Sequence, residues 1–427
     1  MLDITFIRKN VLQVKKSCQE RGIVVDLDRL IKVDQVRREM VRRIDALRAE
    51  HKQQSKEKPT ANYRLELRTA GEVIKKQAEQ LQSIDVELNQ LMGSLPNIVH
   101  PDVPVGKDES DNVVVRTVGK IPEFSFQTKE HWQLGAARDL IDIERASEVS
   151  GNRFAYLKGD LVLLQFALIV HTLSVVTNEK ILENIANQAG ISTLPKPFLP
   201  IIPPVMMRPD VMQKMGRLEP REERYHIKSD DLYLVGSAEH TLGPLHIGET
   251  IAEAKFPIRY IGYSTSFRRE AGSYGKDMKG ILRLHQFDKL EFESFTLPEA
   301  GEAEQDFLIA IQEYLMQSLG IPYRVVLKCT GDMGKPDYRE FDIEAWLPGQ
   351  KSYRETHTAD YMTDWQSRRL HTKVKKKDGT TAFVHMNDAT VLAIGRTLIA
   401  IMENYQQADG SIQVPTILQK IVGKKII

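Results

Sequence analysis

At 427 residues, with 41% hydrophobic and 27% charged side chains, the chain has the make-up of a soluble globular protein and is too long for one ordinary core, so two domains are the default expectation. A formal net charge of +1 excludes a chain-wide polyanion-binding surface, and any nucleic-acid binding must come from local clusters of charge. The two cysteines, Cys18 and Cys329, give neither a disulfide framework nor a zinc-ligand spacing, which fits a reducing cytoplasm and a protein without zinc.

The opening MLDITFIRKN carries charge at once and lacks the apolar core of a secretory signal. Residues 3–20 read as one helix, with Ile4, Ile7, Val11, Val14 and Cys18 at helical spacing. Gly22 and the β-branched run behind it interrupt that pattern. After Asp26 comes a long charged helix, in which Leu30, Val33, Met40, Ile44 and Leu47 keep three- and four-residue steps, broken once at Arg37. Lys58, Pro59, Thr60 and Asn62 form a polar break. A second helix then holds the heptad step from Leu67 through Ala70, Ile74, Gln77, Leu81, Ile84, Leu88 and Leu91 to Leu95, where Pro96 stops it.

Two such helices joined by a short turn predict an antiparallel coiled-coil hairpin over about 27–95, within an N-terminal domain of residues 1–100. The default reading of a coiled coil is a spacer or dimerisation rod. Here Arg37, Arg38, Arg42, Arg43, Arg48, Lys52, Lys56, Lys58 and Arg64 gather toward the tip, and a basic rod suits the phosphate edge of an RNA helix, read by shape.

Residues 101–122, rich in Pro, Gly and Asp, read as a linker into a second domain over 123–427. Its longest apolar run, Leu161–Val176, is short for a membrane span and contains Gln165, His171, Thr172 and Ser174, so a buried helix and no membrane association are expected. Pro203 and Pro204 mark an edge strand or a strand end. Short strands dominate thereafter, at 232–235, 256–265, 281–287, 324–331, 341–347 and 382–386. The class is α+β, a mainly antiparallel sheet flanked by helices. No glycine-rich phosphate loop of the GxGxxG or GxxxxGK[ST] kind is present.

The most informative stretch is Phe267–Glu291, FRREAGSYGKDMKGILRLHQFDKLE. It reads as strand, basic glycine-rich turn and returning strand. Arg268 can meet a phosphate with a planar fork, Lys276 and Lys279 in the turn can meet a polyanion, and strand alternation puts Glu270 on the face of Arg268.

This stretch resembles motif 2 of class II aminoacyl-tRNA synthetases, in the form found in seryl-tRNA synthetases. Around it, FLPIIPPVMMRPDVMQKMG resembles motif 1, a dimer-forming element, and VLAIGRTLIAIMENYQ resembles motif 3. The resemblance implies a class II catalytic domain and a homodimer. The activity implied is activation of L-serine by ATP, followed by transfer to tRNA(Ser) and to any selenocysteine tRNA in the same cell. No DNA or membrane partner is implied.

By the same resemblance, Arg268 contacts the α-phosphate and Arg396 the γ-phosphate, Glu270 accepts from the adenine amino group, and Phe287 stacks on the ring. Arg269 and the stretch Glu355, Thr356, His357, Thr358 complete the ATP site, with Glu355 and Thr358 as Mg²⁺ ligands; Arg268, Glu355 and Arg396 carry the catalysis. Serine is bound by Ser237, Ala238, Glu239, Arg268, Glu291 and Thr390. Arg37, Arg38, Arg42, Arg43, Lys52, Lys276 and Lys279 meet tRNA.

Two departures stand out: Ser237 where the family carries threonine, and NDATV at Asn387–Val391 where LNGSG is common. They leave a shifted preference, toward threonine for example, as an alternative. A non-catalytic tRNA-binding homologue would lose the motif charges, and a homologue that loads a carrier protein would lack the arm.

Overall fold

Acidic caps start two helices of the N-terminal part. The Asp3 carboxylate accepts from the Phe6 amide at 2.9 Å and opens α1 (Ile4–Lys9). The continuous helix expected over 3–20 is broken at Asn10, whose side-chain amide donates to the Phe6 carbonyl at 2.9 Å and competes with the helical ladder. α2 (Val11–Glu20) follows. Asp26 accepts from the Arg29 amide and starts α3 (Leu27–Gln54), which pairs with α4 (Ala61–Ser94) as a helical hairpin.

The computed structural model describes residues 1–56, 61–271 and 279–427, without side chains at 61–64. Lys58 and Lys276 lie outside the described residues, and so does the Arg64 side chain. The break at Arg37 is a polar layer in the hairpin seam. Arg37 Nε lies 2.5 Å from Asp85 on the facing helix, and Arg29 pairs with Glu87 at 2.8 Å. Buried Asp34 accepts from Arg38 at 3.1 Å, between fully buried Leu30 and Ile44. One polar layer in an apolar seam specifies register. Arg37 and Arg38 are thus half-buried and tied to carboxylates, while Arg42, Arg43, Arg48 and Lys52 are exposed.

The chain divides into two compact units, Met1–Ile98 and Val99–Ile427. The second is built on eight strands: β1 (Val113–Val118), β2 (Leu199–Ile201), β3 (Ile258–Phe267), β4 (Gln286–Thr296), β5 (Tyr323–Leu327), β6 (Arg339–Leu347), β7 (Ser352–Tyr361) and β8 (His385–Ala393). Their spatial order is β1-β5-β6-β7-β8-β4-β3-β2. Every pairing is antiparallel except β2 with β3.

Three elements differ from the pattern read in the sequence. β1 lies inside the stretch expected as a linker. The strand expected from 281 begins only at Gln286. β7 went unread, because Arg354, Glu355, His357 and Asp360 hide its alternation.

The buried helix expected at 161–176 is α5 (Asp160–Val176). Leu161, Leu164, Leu168 and Val175 enter the core while Leu163, Phe166 and Val170 are about half exposed. Among the described residues no single helix is long and apolar enough to cross a membrane. α6 (Gly301–Ser318) packs on the sheet.

One buried ion pair ties these parts together. Arg259 on β3 and Glu304 on α6 are 0% and 1% exposed. Arg259 gives all five N–H groups to the protein: two to the Glu304 carboxylate at 2.6 Å each, and one each to the Leu194 carbonyl, the Lys196 carbonyl and the Thr193 hydroxyl. The fork thereby fastens the segment entering β2 to the sheet and its covering helix. Removing one partner of such a pair leaves the other charge buried and alone. Arg259→Met is therefore expected to cost about 3–5 kcal/mol in urea unfolding. Arg259→Lys should recover little of it, because an ammonium cannot serve five fixed acceptors.

Candidate active site

Strand alternation alone would put Glu355 and Thr358 on opposite faces of the sheet. The structure resolves this with a bulge. The β6–β7 register steps from Ile343 opposite His357 to Glu344 opposite Glu355, so Thr356 is an extra residue and the two oxygen donors share a face. A second bulge lies in β8, where the register against β4 steps from Leu392 opposite Leu290 to Thr390 opposite Glu291, leaving Val391 extra. Thr390 and Ala393 come to one face in the same way. Next to the bulges β7 and β8 diverge, and their ladder is confined to residues 359–361 and 387–389. Gln312 of α6 bridges the gap, its amide donating to the Thr358 and Thr390 carbonyls at 2.7 and 2.8 Å.

Over this opening lies one cleft of about 890 Å³, counting the part open to solvent. Arg268, Glu270, Phe287, Glu239, Glu355, Thr358, Thr390 and Arg396 all line it. They come from β4, β7, β8, the first turn of α7 (Ile394–Asn404) and two connecting segments. Arg268 follows the end of β3; its Nε donates to the Gly236 carbonyl at 3.2 Å and its guanidinium sits 5.5 Å from the Phe287 ring. Glu270 reaches the same face through a left-handed backbone (φ 51), not through strand alternation, and pairs with Arg283 at 3.2 Å. Arg396 lies 2.9 Å from the Glu355 carboxylate, whose side chain is 46% exposed.

The return of the motif 2 hairpin is held from below. His131, 1% exposed, accepts the Ile281 amide on Nε2 at 3.1 Å, so its Nδ1 is the nitrogen that donates to Glu403 of α7, at 3.2 Å. Glu403 also accepts the His131 and Gly349 amides. A Cβ on Gly280 (φ 79) would stand 1.9 Å from His131 Nε2, so only glycine fits where the chain crosses the imidazole.

Other expected site residues stand behind the wall or point elsewhere. Ser237 is fully buried and its hydroxyl accepts from Lys289 Nζ at 3.3 Å. Ala238 and Glu291 are buried beside it; Glu291 accepts from the Thr390 hydroxyl at 3.2 Å and pairs with Lys289 at 2.8 Å. Thr356 and His357, the bulge residue and its neighbour, do not line the cleft. The Thr356 hydroxyl donates to the Ile343 carbonyl, and burial drives His357 to a pKa of about 3, leaving it neutral. The Arg269 main-chain amide donates to the Glu223 carbonyl at 3.1 Å, and the residue is not in the lining. Lys279 lies over the Trp132 ring at 4.7 Å.

Reading the sequence alone misses Lys289, Arg283, Asp360 and Arg217, which line the cleft as well. Lys289 could have been found, since it alternates with Phe287 and Glu291 on one strand. Arg217 carries no such signal.

Burial, the larger effect, and Arg217 act oppositely on Glu239; with its other cationic neighbours Arg217 prevails and the carboxyl lies below the ordinary range. At Glu291 burial dominates and the carboxyl is raised despite Lys289. Two acids in one wall therefore hold different protonation tendencies, which is how a site gains both an acceptor for a cation and a partner for a hydroxyl.

Residues 1–99 match the family described as the seryl-tRNA synthetase N-terminal domain, and residues 224–405 match the class II tRNA synthetase core domain (G, H, P, S and T). The chain is 38% identical to the serine–tRNA ligase of Borrelia garinii subsp. bavariensis, with 99% of this chain and 98% of that one covered. It is also 38% identical to the serine–tRNA ligase of Treponema denticola, with 99% of each covered. Among solved structures it resembles the seryl-tRNA synthetase of Pyrococcus horikoshii complexed with ATP, at 34% identity and a TM-score of 0.89, covering 100% of this chain and 99% of that chain. The cytoplasmic serine–tRNA ligase of Naegleria fowleri in complex with AMP follows at 31% identity and a TM-score of 0.85, covering 100% and 98%.

The Lys289–Glu291 pair yields a pH-dependent expectation. Lys289→Met removes the cation that opposes burial, so the Glu291 carboxyl rises further in the folded state. The folded chain then binds a proton that the unfolded chain releases above about pH 4.3, and stability falls as pH climbs toward the new folded value. The loss in urea unfolding should be about 3–5 kcal/mol at pH 8 and smaller at pH 5. Equal losses at both would exclude Glu291 as the responsible group.

Proposed function

The chain belongs to the seryl-tRNA synthetase family of class II aminoacyl-tRNA synthetases, and from that premise we propose that it activates L-serine with ATP and transfers the seryl group to tRNA(Ser). The observation that carries this reading is the single cleft that Arg268 and Arg396 share with Glu270, Phe287, Glu239, Thr390, Glu355 and Thr358. Two guanidiniums on one cavity can hold the two ends of a folded triphosphate.

In the first step a serine carboxylate oxygen attacks the α-phosphorus, the bond to the β-phosphate bridge breaks, and pyrophosphate leaves. Arg268 stabilises charge on the α-phosphate and Arg396 holds the γ-phosphate. Phe287, under the Arg268 guanidinium, gives the adenine a stacking face, and Glu270 an acceptor for its amino group. Glu355 and Thr358, hard oxygen donors brought to one face by the bulge, are the residues that would hold a Mg²⁺. When bound, the ion neutralises charge on the phosphoryl oxygens. In the second step a terminal ribose hydroxyl of tRNA attacks the carbonyl of the mixed anhydride, and AMP leaves.

At the other end Glu239 takes the substrate ammonium, and the Thr390 hydroxyl, held from behind by buried Glu291, takes the serine hydroxyl. Such a pocket disfavours alanine strongly, because its polar groups would be left unpaired. We assign the exposed Arg42, Arg43 and Lys52 of the helical arm to tRNA phosphates. We also propose a homodimer; the exposed Leu163, Phe166 and Val170, with Leu199, Ile202 and Met206 near the β2 edge, support it. A cytoplasmic setting accords with two buried free cysteines.

Pyrophosphate–ATP exchange with each amino acid tests the reading: exchange should depend on serine and exceed the threonine rate. Arg396→Ala should lower serine-dependent exchange by about 10²-fold or more, and near-normal exchange would remove its phosphate role. Deleting residues 30–95 should leave serine activation in place and cripple tRNA charging; unchanged charging would reassign the arm to scaffolding.

A further inference from the structure

Behind the amino-acid end of the cleft the sheet carries an unusual row. Cross-strand register sets Glu293 opposite Asp388, Asp388 opposite Asp360, and Asp360 opposite Glu340, four carboxyls side by side on β4, β8, β7 and β6. Glu293 and Asp388 are 0% exposed, Asp360 and Glu340 7% and 6%. Like charges directly opposite one another are destabilising in a sheet, and more so out of water. A row of this kind needs a cation.

Arg217 supplies it. Its Nη2 lies 3.1 Å from Asp388 and 3.7 Å from Asp360, and its Nε 3.0 Å from Glu239. It is delivered by Gly216, whose left-handed turn (φ 76) has no room for a Cβ, which would stand 2.8 Å from the Trp365 ring. Arg217, Glu239 and Asp360 all reach the cleft lining, whereas Asp388 does not. The guanidinium therefore joins the pocket wall to the sheet interior.

We propose that Arg217 is a positioning residue of the amino-acid pocket, a brace that fixes the Glu239 carboxylate toward the substrate ammonium by tying it to Asp388 and Asp360. This rests on the assignment of Glu239 to the amino-acid end. A guanidinium suits the task, since Nη2 donates to Asp388 while Nε meets Glu239 as a charge contact without an aligned hydrogen bond, a span that a lysine's single ammonium could not cover. The groups facing Glu239 are the cations Arg217, Lys289 and Arg224, His240, and the acids Glu291, Glu293 and Asp388. Burial raises the Glu239 carboxyl and Arg217 is the chief influence lowering it. Without the brace the chief lowering influence is gone, burial is opposed by Lys289 and Arg224, and the Glu239 carboxyl rises, so it accepts an ammonium less readily as pH falls.

The test compares Arg217→Met/Asp388→Asn with Asp388→Asn alone. The double variant removes the brace without leaving Asp388 as a buried unpaired charge, and thermal melts establish that both fold. In pyrophosphate exchange the double variant should show a serine KM raised about ten-fold or more over Asp388→Asn, with the ATP KM changed less than about three-fold. Its kcat/KM for serine should also gain a limb that ascends with pH through the neutral range, absent from Asp388→Asn. Arg217→Lys, which keeps the charge but loses the fork, should raise the serine KM without the new limb. A serine KM and pH profile equal to those of Asp388→Asn would overturn the proposal and leave Arg217 a purely structural counter-charge. Wild-type protein is the control: absence of serine-dependent exchange there would defeat the functional reading itself, whereas active wild type with an unaffected double variant defeats this inference alone.

Discussion

Two single-residue insertions in adjacent strands do most to shape this cleft. A regular sheet shows one face every second residue, so a segment such as Glu355–Thr358 cannot present both ends to one ligand. The extra residues at Thr356 and Val391 reverse that parity. They also spread β7 from β8, and the spreading would strand the Thr358 and Thr390 carbonyls in the core had Gln312 not reached up from α6 to donate to both. The bulges, the amide bridge and the cleft are thus one construction. Bulges recur next to active sites because they re-aim side chains at modest cost.

Charge is arranged by the same economy. The Glu239 end of the cleft gathers Glu239, Glu291 and Asp388 with carboxylate oxygens within 4.8 Å of one another, an arrangement that burial alone would force toward protonation. Arg217 and Lys289 divide the acids. Arg217 together with His240 and Lys289 outweighs burial at Glu239, and Lys289 does not at Glu291. The result is one anionic acceptor at the cleft and, behind it, one carboxyl able to hold a proton.

Much of this was legible in the sequence, for identifiable reasons. The helical hairpin follows from heptad steps, and its one irregularity, at Arg37, is the polar layer with Asp85. Arg268, Glu270, Phe287, Glu355, Thr358 and Arg396 were named from motif resemblance and line one cleft, yet the geometric reason offered for Glu270 was wrong: its face comes from a left-handed residue after the strand ends. β1 was hidden by flanking proline and glycine, and β7 by its own charges. Thr356 and His357 were grouped with their neighbours because a bulge leaves no mark in a linear string. Arg217 was invisible for a deeper reason. Its three partners come from residues 239, 360 and 388, and no local pattern anticipates a contact assembled from such distant parts of the chain.

The arginines of the second unit can be ordered by how far the protein itself satisfies them, and that order separates their roles. Arg259 donates all five N–H groups internally and is out of water, so it has nothing left for a ligand and acts as a fastener. Arg217 is held on two edges by carboxylates but still touches the cleft, which makes it a brace rather than a binder. Among the described residues the Arg268 side chain donates only through Nε, to the Gly236 carbonyl. Its terminal nitrogens stay uncommitted at the cleft, the condition for meeting a phosphate with two parallel bonds. Arg396 stands between these cases, one terminal nitrogen engaged by Glu355 and its backbone carbonyl. A group drawing on Arg396 would loosen that contact and release the Glu355 carboxylate into the cleft.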